Sequence, residues 1–283
     1  MKAAVQDARG SWLLRPGAQL AKYGEVVKIT VMSQLAYWLN ELARALFMLV
    51  VIFVFAQLWR TTYTSLQVNA IGGFAFPQIL WYLVLGETIY MGLPRVSALV
   101  DSEVKSGQLA YTLNRPYSYA LYHFGLYLGK LALALPINFC LGGLVAYLQV
   151  GLPPFAWDSL LAALPALMLG LTLHFLIAFA IGLLAFWFED TASFYLLYSR
   201  VMMILGGMLL PLDLFPQGLR QVAAVLPISL IIYAPAKLAV GAGSETLSAG
   251  RVLLAQGVWI ALVCTVTALI YSRGVSRVNV HGG

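Results

Sequence analysis

The chain has 283 residues, of which 61% are hydrophobic and only 10% are charged, and its mean hydropathy is +0.85. Water-soluble domains contain about 45–50% apolar and about 25% charged residues, so this composition excludes a soluble globule and predicts an integral membrane protein. The net charge of +6 does not indicate nucleic acid as a partner, because lysine and arginine accumulate in the cytoplasmic loops of membrane proteins.

The first predicted element is an amphipathic helix over residues 20–41. Apolar residues recur there at steps of three and four, and charged residues fill the intervening face. The apolar positions are Tyr23, Val27, Val31, Leu35 and Trp38. Such a helix lies in the cytoplasmic interface of a membrane and leads directly into the first span. A solvated tail is the alternative.

Six apolar segments then predict an all-α integral membrane protein with six transmembrane helices and a single transmembrane domain over residues 1–283. A spanning helix needs about 20 apolar residues, and each segment meets this length. The segments are about 40–59, 71–93, 119–149, 158–188, 193–212 and 252–272.

Residues 94–116 form a charged loop between the second and third predicted spans. This loop contains Arg95, Asp101, Glu103, Lys105 and Arg115. An ionised side chain at the middle of a bilayer costs about 2.5–3.5 kcal/mol. We therefore expect the loop to project into water, where it can contact a partner.

Residues 211–241 are too apolar for an exposed loop and too interrupted for one continuous helix. Prolines stand at positions 211, 216, 227 and 235. Irregular backbone at membrane depth persists only where protein or a water-lined cavity covers it. The pattern predicts short broken helices that re-enter the outer leaflet. A seventh span would place the C-terminal tail outside, against the charge distribution.

Positive charge predicts the orientation. Lysines and arginines cluster in the N-terminal tail, in residues 94–116 and in the C-terminal tail, and all three lie on one side if both termini are cytoplasmic. Positive charge favours the cytoplasmic side. We therefore expect a multi-pass protein of the cell inner (plasma) membrane with both termini inside.

The ionisable residues within the predicted spans or the broken segment are the candidate polar sites. They are Glu87, Lys130, His174, Arg200 and Asp213. Each is costly unless it pairs, faces the bundle interior or reaches the interface. Glu87 and Lys130 lie at similar depth, which predicts an ion pair that is either structural or part of a substrate site. Arg200 is expected to reach the interface or to pair with Glu189 or Asp190.

The sequence contains no motif of an enzyme. The nearest match to a phosphate-binding loop begins at Gly125, is one residue short and ends in Leu131 instead of serine or threonine. Cys140 and Cys264 lie inside apolar runs, and His123, His174 and His281 lie far apart. We therefore expect no catalysis, no bound cofactor and no metal in this chain.

Two motifs connect this arrangement with a known family. They are Lys105-Ser106-Gly107-Gln108-Leu109 with Leu113-Asn114-Arg115-Pro116, and Gly206-Gly207 with Pro211 and Phe215-Pro216. Across nearly its whole length the chain resembles the membrane subunit of ABC-2-type transporters, which have the type V exporter fold. The resemblance is to the branch described as ABC-2 family transporter protein.

The resemblance implies a role for each unusual segment. Residues 20–41 would be the connecting helix, 211–241 the re-entrant extracellular helices, and 94–116 the coupling loop that docks on a separate ATPase. The implied coupling residues are Asp101, Glu103 and Lys105 as polar contacts, Gly107 as the helix end, and Arg115 and Pro116 as the turn into the third span. Glycine is favoured just after a helix end, and proline is disfavoured inside a helix.

The resemblance also implies partners and an activity. Two copies of a P-loop ATPase would bind ATP and Mg²⁺, and a second permease, identical or a sibling, would complete the complex within membrane lipid. The substrate would be hydrophobic, amphipathic or lipid-linked and would move out of the cytoplasm or the inner leaflet. The alternatives are an ion-coupled secondary transporter, which predicts inverted repeats, and a membrane scaffold without transport activity.

Overall fold

The computed structural model describes residues 16–113, 117–241 and 248–281, and in these ranges the chain is almost entirely helical. The helices are α1 Pro16–Ala36, α2 Trp38–Leu66, α3 Phe76–Gly92, α4 Val96–Lys105, α5 Gln108–Leu113, α6 Tyr119–Val150, α7 Trp157–Leu183, α8 Ala192–Leu205, α9 Gln217–Val225, α10 Tyr233–Val240 and α11 Ala249–His281. Short 3₁₀ turns cover Leu184–Phe186, Leu212–Leu214 and Pro227–Leu230. A small antiparallel hairpin pairs β1 Ala70–Ile71 with β2 Phe74–Ala75.

Five helical stretches in the described ranges are long and apolar enough to cross a membrane. They are Trp38–Leu66, Phe76–Lys105, Tyr119–Val150, Trp157–Phe186 and Ala249–Ser276. Large apolar side chains on these stretches, such as Phe47, Leu161 and Leu254, are more than half exposed, which suits a surface that faces lipid rather than water. The prediction of an all-α membrane protein is confirmed.

The segment predicted as a span at 193–212 is not one long helix. α8 has 14 residues and a length of about 21 Å, against a hydrocarbon core of about 30 Å. The helix ends at Leu205 with Gly206 as its C-cap, and Gly207 adopts a φ of +77°. That left-handed conformation is natural for glycine and strained for other residues, so the backbone turns here instead of continuing.

The bundle has two recognisable ends. At the hairpin end, Arg60 Nη2 donates to Gln149 Oε1 over 2.7 Å, and so joins the last turns of α2 and α6. At the opposite end, Thr191 Oγ1 donates to Asp101 Oδ1 over 2.7 Å, and so joins the start of α8 to α4. We call this second end the α4 end.

α1 packs along α6, and three positions of the predicted apolar face, Tyr23, Val27 and Val31, are partly buried. The sequence pattern includes Leu35 and Trp38 in the apolar face, but both side chains are 49% exposed. The packed face centres on Thr30, which is buried against Gly129 of α6. A Cβ at Gly129 would lie only 2.6 Å from the Thr30 Cβ, so glycine allows this close approach. The interfacial position of α1 stays a prediction.

Residues 211–241 are broken into two short helices and two 3₁₀ turns, as the prolines predict. The carbonyl of Val240 accepts from Gln78 Nε2 over 3.4 Å, which places the end of α10 at the hairpin end. Gln256 Nε2 donates to the carbonyls of both Leu230 (2.9 Å) and Ala166 (2.7 Å). Ala166 lies nine residues into α7, about 14 Å along its axis, so the chain near Leu230 lies well inside the bundle.

Candidate functional site

α4 is a short polar helix that is held against the bundle. Val96, Ser97 and Val100 form its buried face, which lies against Gly182 of α7. A Cβ at Gly182 would lie 2.7 Å from the Val100 Cβ and 2.9 Å from the Ser97 carbonyl oxygen. Only glycine at this position allows α4 to approach the α7 backbone so closely.

The acidic side chains of α4 bind other side chains of this protein. Glu103 Oε2 accepts from the Tyr119 hydroxyl over 2.8 Å and lies 3.0 Å from His123 Nε2. Asp101 accepts from Thr191 and pairs with Lys105 Nζ over 2.7 Å. Both carboxylates thus tie α4 to α6 and to the start of α8, and their role as contacts for an ATPase stays a prediction.

The face of α4 and α5 that points away from the bundle is polar with one aromatic side chain. Its exposed residues are Ser102, Lys105, Gln108 and Tyr111, and we call this set the α4–α5 surface. Tyr111 is 76% exposed. Gly107 follows the last turn of α4 with a φ of +73°, which confirms its predicted position at the helix end. Arg115 and Pro116 lie outside the described residues.

A cavity of about 1030 Å³ opens beside α4, between α2, α3, α6 and α8. Six charged side chains line it: Glu41, Arg44, Arg95, Asp101, Lys130 and Arg200. The structure thus brings Lys130 and Arg200, two of the predicted polar candidates, to one site with Arg95. The sequence did not reveal this grouping, because these three cations belong to different parts of the chain.

The predicted ion pair between Glu87 and Lys130 is wrong, and of the two alternatives for Arg200 the structure does not show the pairing with Glu189 or Asp190 among the described residues. Glu87 is buried in α3 with 3% exposure, and it forms no ion pair with Lys130 in the described ranges. Asp190 does not pair with Arg200 but caps α8 instead, with acceptor bonds of 2.8 Å from Ser193 Oγ and from the Ala192 backbone N–H. These two hydrogen bonds hold the pKa of Asp190 below its usual range.

Asp213 forms the most buried charged cluster of the described residues. Its carboxylate accepts from Lys237 Nζ over 2.7 Å, from the Tyr233 hydroxyl over 2.9 Å and from Arg220 over 3.3 Å. Lys237 is only 2% exposed. Lys237 is not among the polar candidates that the sequence suggests. Asp213 needs a cation nearby, and this need was the signal that could have identified Lys237, which lies in the same broken segment.

His174 is a packing residue of the bundle interior. Its Nδ1 lies 3.1 Å from the Tyr127 hydroxyl, which joins α7 to α6. The described residues contain no group of three or more histidine, cysteine, aspartate or glutamate side chains that could hold a metal ion. The cavity and the α4–α5 surface are therefore the two candidate sites.

Comparison with known protein families matches residues 45–282 to the family described as ABC-2 family transporter protein. The match covers most of the chain, from the first turns of α2 to the end of α11, and it confirms the resemblance drawn from the two motifs. A search of curated proteins found no match.

Proposed function

The chain belongs to the ABC-2 family of transporter proteins, and from this premise we propose that it is the transmembrane subunit of an ATP-binding cassette exporter. Because it belongs to this family, the chain is a membrane permease of the ABC type. A separate P-loop ATPase binds ATP and Mg²⁺ and supplies the energy, while this chain catalyses no reaction itself. The observation that supports the proposal best is α4, a polar helix that is anchored to α6, α7 and α8 and whose other face is exposed among the described residues.

The proposed topology places the α4 end in the cytoplasm and the hairpin end outside the inner (plasma) membrane. α8 and the chain up to Leu214, which lies against Gly72 of the hairpin, make the remaining crossing, which gives six spans in all. The broken segment re-enters the membrane from the outer side, since its end lies at the hairpin end while Leu230 lies beside Ala166. Both termini are cytoplasmic, and α1 is the connecting helix in the interface.

The complex contains two ATPases and two permeases, which are copies of this chain or a sibling pair, within membrane lipid. Its substrate is hydrophobic, amphipathic or lipid-linked and leaves the cytoplasm or the inner leaflet. The large outward apolar surface of α2 and α8, which includes Phe47, Phe53, Leu196 and Leu197, supports contact with lipid or a second permease.

Co-expression with P-loop ATPases from the same organism tests the proposal. We expect one of them to purify together with this chain from detergent and the complex to hydrolyse ATP. Reconstituted vesicles should then move substrate only when ATP is present. Recovery of the chain without any ATPase, or transport that needs an ion gradient instead of ATP, would contradict the proposal.

The first prediction concerns docking of the ATPase on the α4–α5 surface. Aromatic side chains often dominate protein interfaces, so Tyr111→Ala should weaken ATPase binding at least tenfold, or about 1.4 kcal/mol. The dissociation constant of the purified subunits in detergent measures this effect. Tyr147→Ala is the matched control, because Tyr147 is 52% exposed at the hairpin end. An equal loss in both variants would show that Tyr111 has no special role.

The second prediction distinguishes ATPase docking from the coupling of ATP hydrolysis to substrate movement. Glu103→Ala removes the contacts of α4 with Tyr119 and His123 but leaves the α4–α5 surface in place. We expect the ATPase to bind within about twofold of normal, while the substrate moved per ATP falls at least tenfold, since α4 can then move without α6. Glu25→Ala, in an exposed glutamate of α1, is the control. Normal coupling in Glu103→Ala would refute this role.

A further inference from the structure

The cavity beside α4 carries an excess of positive charge. Four cations and two carboxylates line its wall. Arg44 forms an ion pair with Glu41, and Asp101 is paired with Lys105 over 2.7 Å. Both acids are therefore already neutralised, and the cations Arg95, Lys130 and Arg200 have no acidic partner within 4.0 Å among the described residues.

These three cations belong to separate elements that meet at the cavity. Arg95 immediately precedes α4, Lys130 lies eleven residues into α6, and Arg200 lies eight residues into α8. The latter two are therefore about 16 Å and about 12 Å along their helices from the α4 end. Cations at this depth are costly unless they face a cavity or a counter-charge. A concave wall with one sign of charge concentrates its field on a ligand of the opposite sign.

The rest of the wall is suited to an amphiphile. Ser97, Ser193 and Ser199 add polar lining, although the Ser193 and Ser199 hydroxyls already donate to Asp190 and to the Leu196 carbonyl. The apolar lining residues are Met91, Leu93, Ala134, Leu196 and Met202. Leu196 is 56% exposed, and its neighbour Leu197 is 65% exposed, so apolar surface continues along α8 beside the cations. A ligand with an anionic head and an apolar tail satisfies both parts of the wall.

We propose that this cavity binds an anionic group of the phosphate class, carried by an amphiphile, through Arg95, Lys130 and Arg200. Arginine and lysine are the usual donors to phosphate oxygens, arginine through its two-pronged guanidinium group and lysine as a point charge. The inference deepens the proposed function by giving its substrate class. It depends on that function only for the step from binding to transport.

Titration calorimetry of the purified full-length chain in a neutral detergent tests the site. The probes are dihexanoyl phosphatidic acid, dihexanoyl phosphatidylcholine and inorganic phosphate. We expect the phosphatidic acid to bind at least tenfold more tightly than the phosphatidylcholine, and its affinity to fall as salt is raised. If inorganic phosphate binds as tightly as the phosphatidic acid, the anion site is supported and its ligand is a soluble phosphate compound. Equal binding of the two lipids overturns the proposal.

Variants of the lining cations test which of them bind the anionic group. Lys130→Gln combined with Arg200→Gln should weaken phosphatidic acid binding at least tenfold, whereas Arg251→Gln, in an exposed arginine at the start of α11, should leave it unchanged. Lys130→Arg combined with Arg200→Lys keeps both charges and should keep binding within about threefold, which separates charge from packing. Wild-type affinity in the neutral double variant overturns the proposal. No ATPase is present, so this result is independent of the co-purification test.

Discussion

Replacing Gly182 by valine is expected to abolish ATP-driven transport. A Cβ at this position would lie 2.7 Å from the Val100 Cβ and 2.9 Å from the Ser97 carbonyl oxygen. A backbone oxygen cannot rotate away as a side chain can, so α4 itself must move from α7. Overpacking of this kind lowers folding stability by about 1–3 kcal/mol. It also displaces α4, the helix on which we propose that the ATPase docks.

The measurement combines ATPase binding in detergent with transport in reconstituted vesicles. We expect ATPase affinity for Gly182→Val to fall at least tenfold and transport to fall below a tenth of normal. Gly257→Val is the matched control, because a Cβ at Gly257 in α11 meets nothing within 4 Å. Size-exclusion profiles of both variants show whether the bundle remains folded. Normal transport by a folded Gly182→Val protein would mean that the contact between α4 and α7 is dispensable.

Replacing Lys237 by methionine is expected to cause the largest loss of stability. Lys237 is 2% exposed, and its Nζ lies 2.7 Å from Asp213, whose side chain is 9% exposed. Removal of one partner from a buried ion pair leaves an uncompensated charge and costs about 3–5 kcal/mol. Tyr233 and Arg220 still contact Asp213 in this variant. We therefore expect the free energy of unfolding to fall by about 3 kcal/mol, near the lower limit of that range.

A double-mutant cycle tests this explanation. Asp213→Asn together with Lys237→Met removes both charges and should recover at least half of the lost free energy of unfolding, measured by denaturant titration in detergent. Arg220→Gln is the exposed comparison, because the Arg220 side chain is 49% exposed. Arg220→Gln should lower the free energy of unfolding by no more than about 1 kcal/mol. Equal losses for Arg220→Gln and Lys237→Met would show that the buried ion pair between Lys237 and Asp213 is not the source of the lost stability.

The spans and the broken segment were predictable because they depend on local composition. Runs of about 20 apolar residues predict spanning helices wherever they occur, and five such helices are found in the described ranges. The break at Gly206 and Gly207 was harder to locate. Met208 and Leu209 continue the apolar run past both glycines, so hydropathy alone extends the predicted span to residue 212.

The roles of individual charges were less predictable, because a charge that faces a partner and one that faces the bundle look alike in sequence. The sequence suggested an ATPase contact for Asp101 and Glu103, and it did not reveal that Thr191, Tyr119 and His123 bind them within the protein. The partners of both carboxylates come from elements that lie many residues away. Helical periodicity carries no information about such distant residues.

The amino-acid sequence by itself determined that this is an all-α membrane permease of the ABC-2 family with a polar helix after its second span, because hydropathy and short motifs are local properties. Only the tertiary structure decided which charges pair, which glycines allow close contact and where Arg95, Lys130 and Arg200 meet. Those outcomes depend on the approach of helices that are far apart in the chain. The cavity beside α4, and with it the proposed anion site, is therefore a property of the fold.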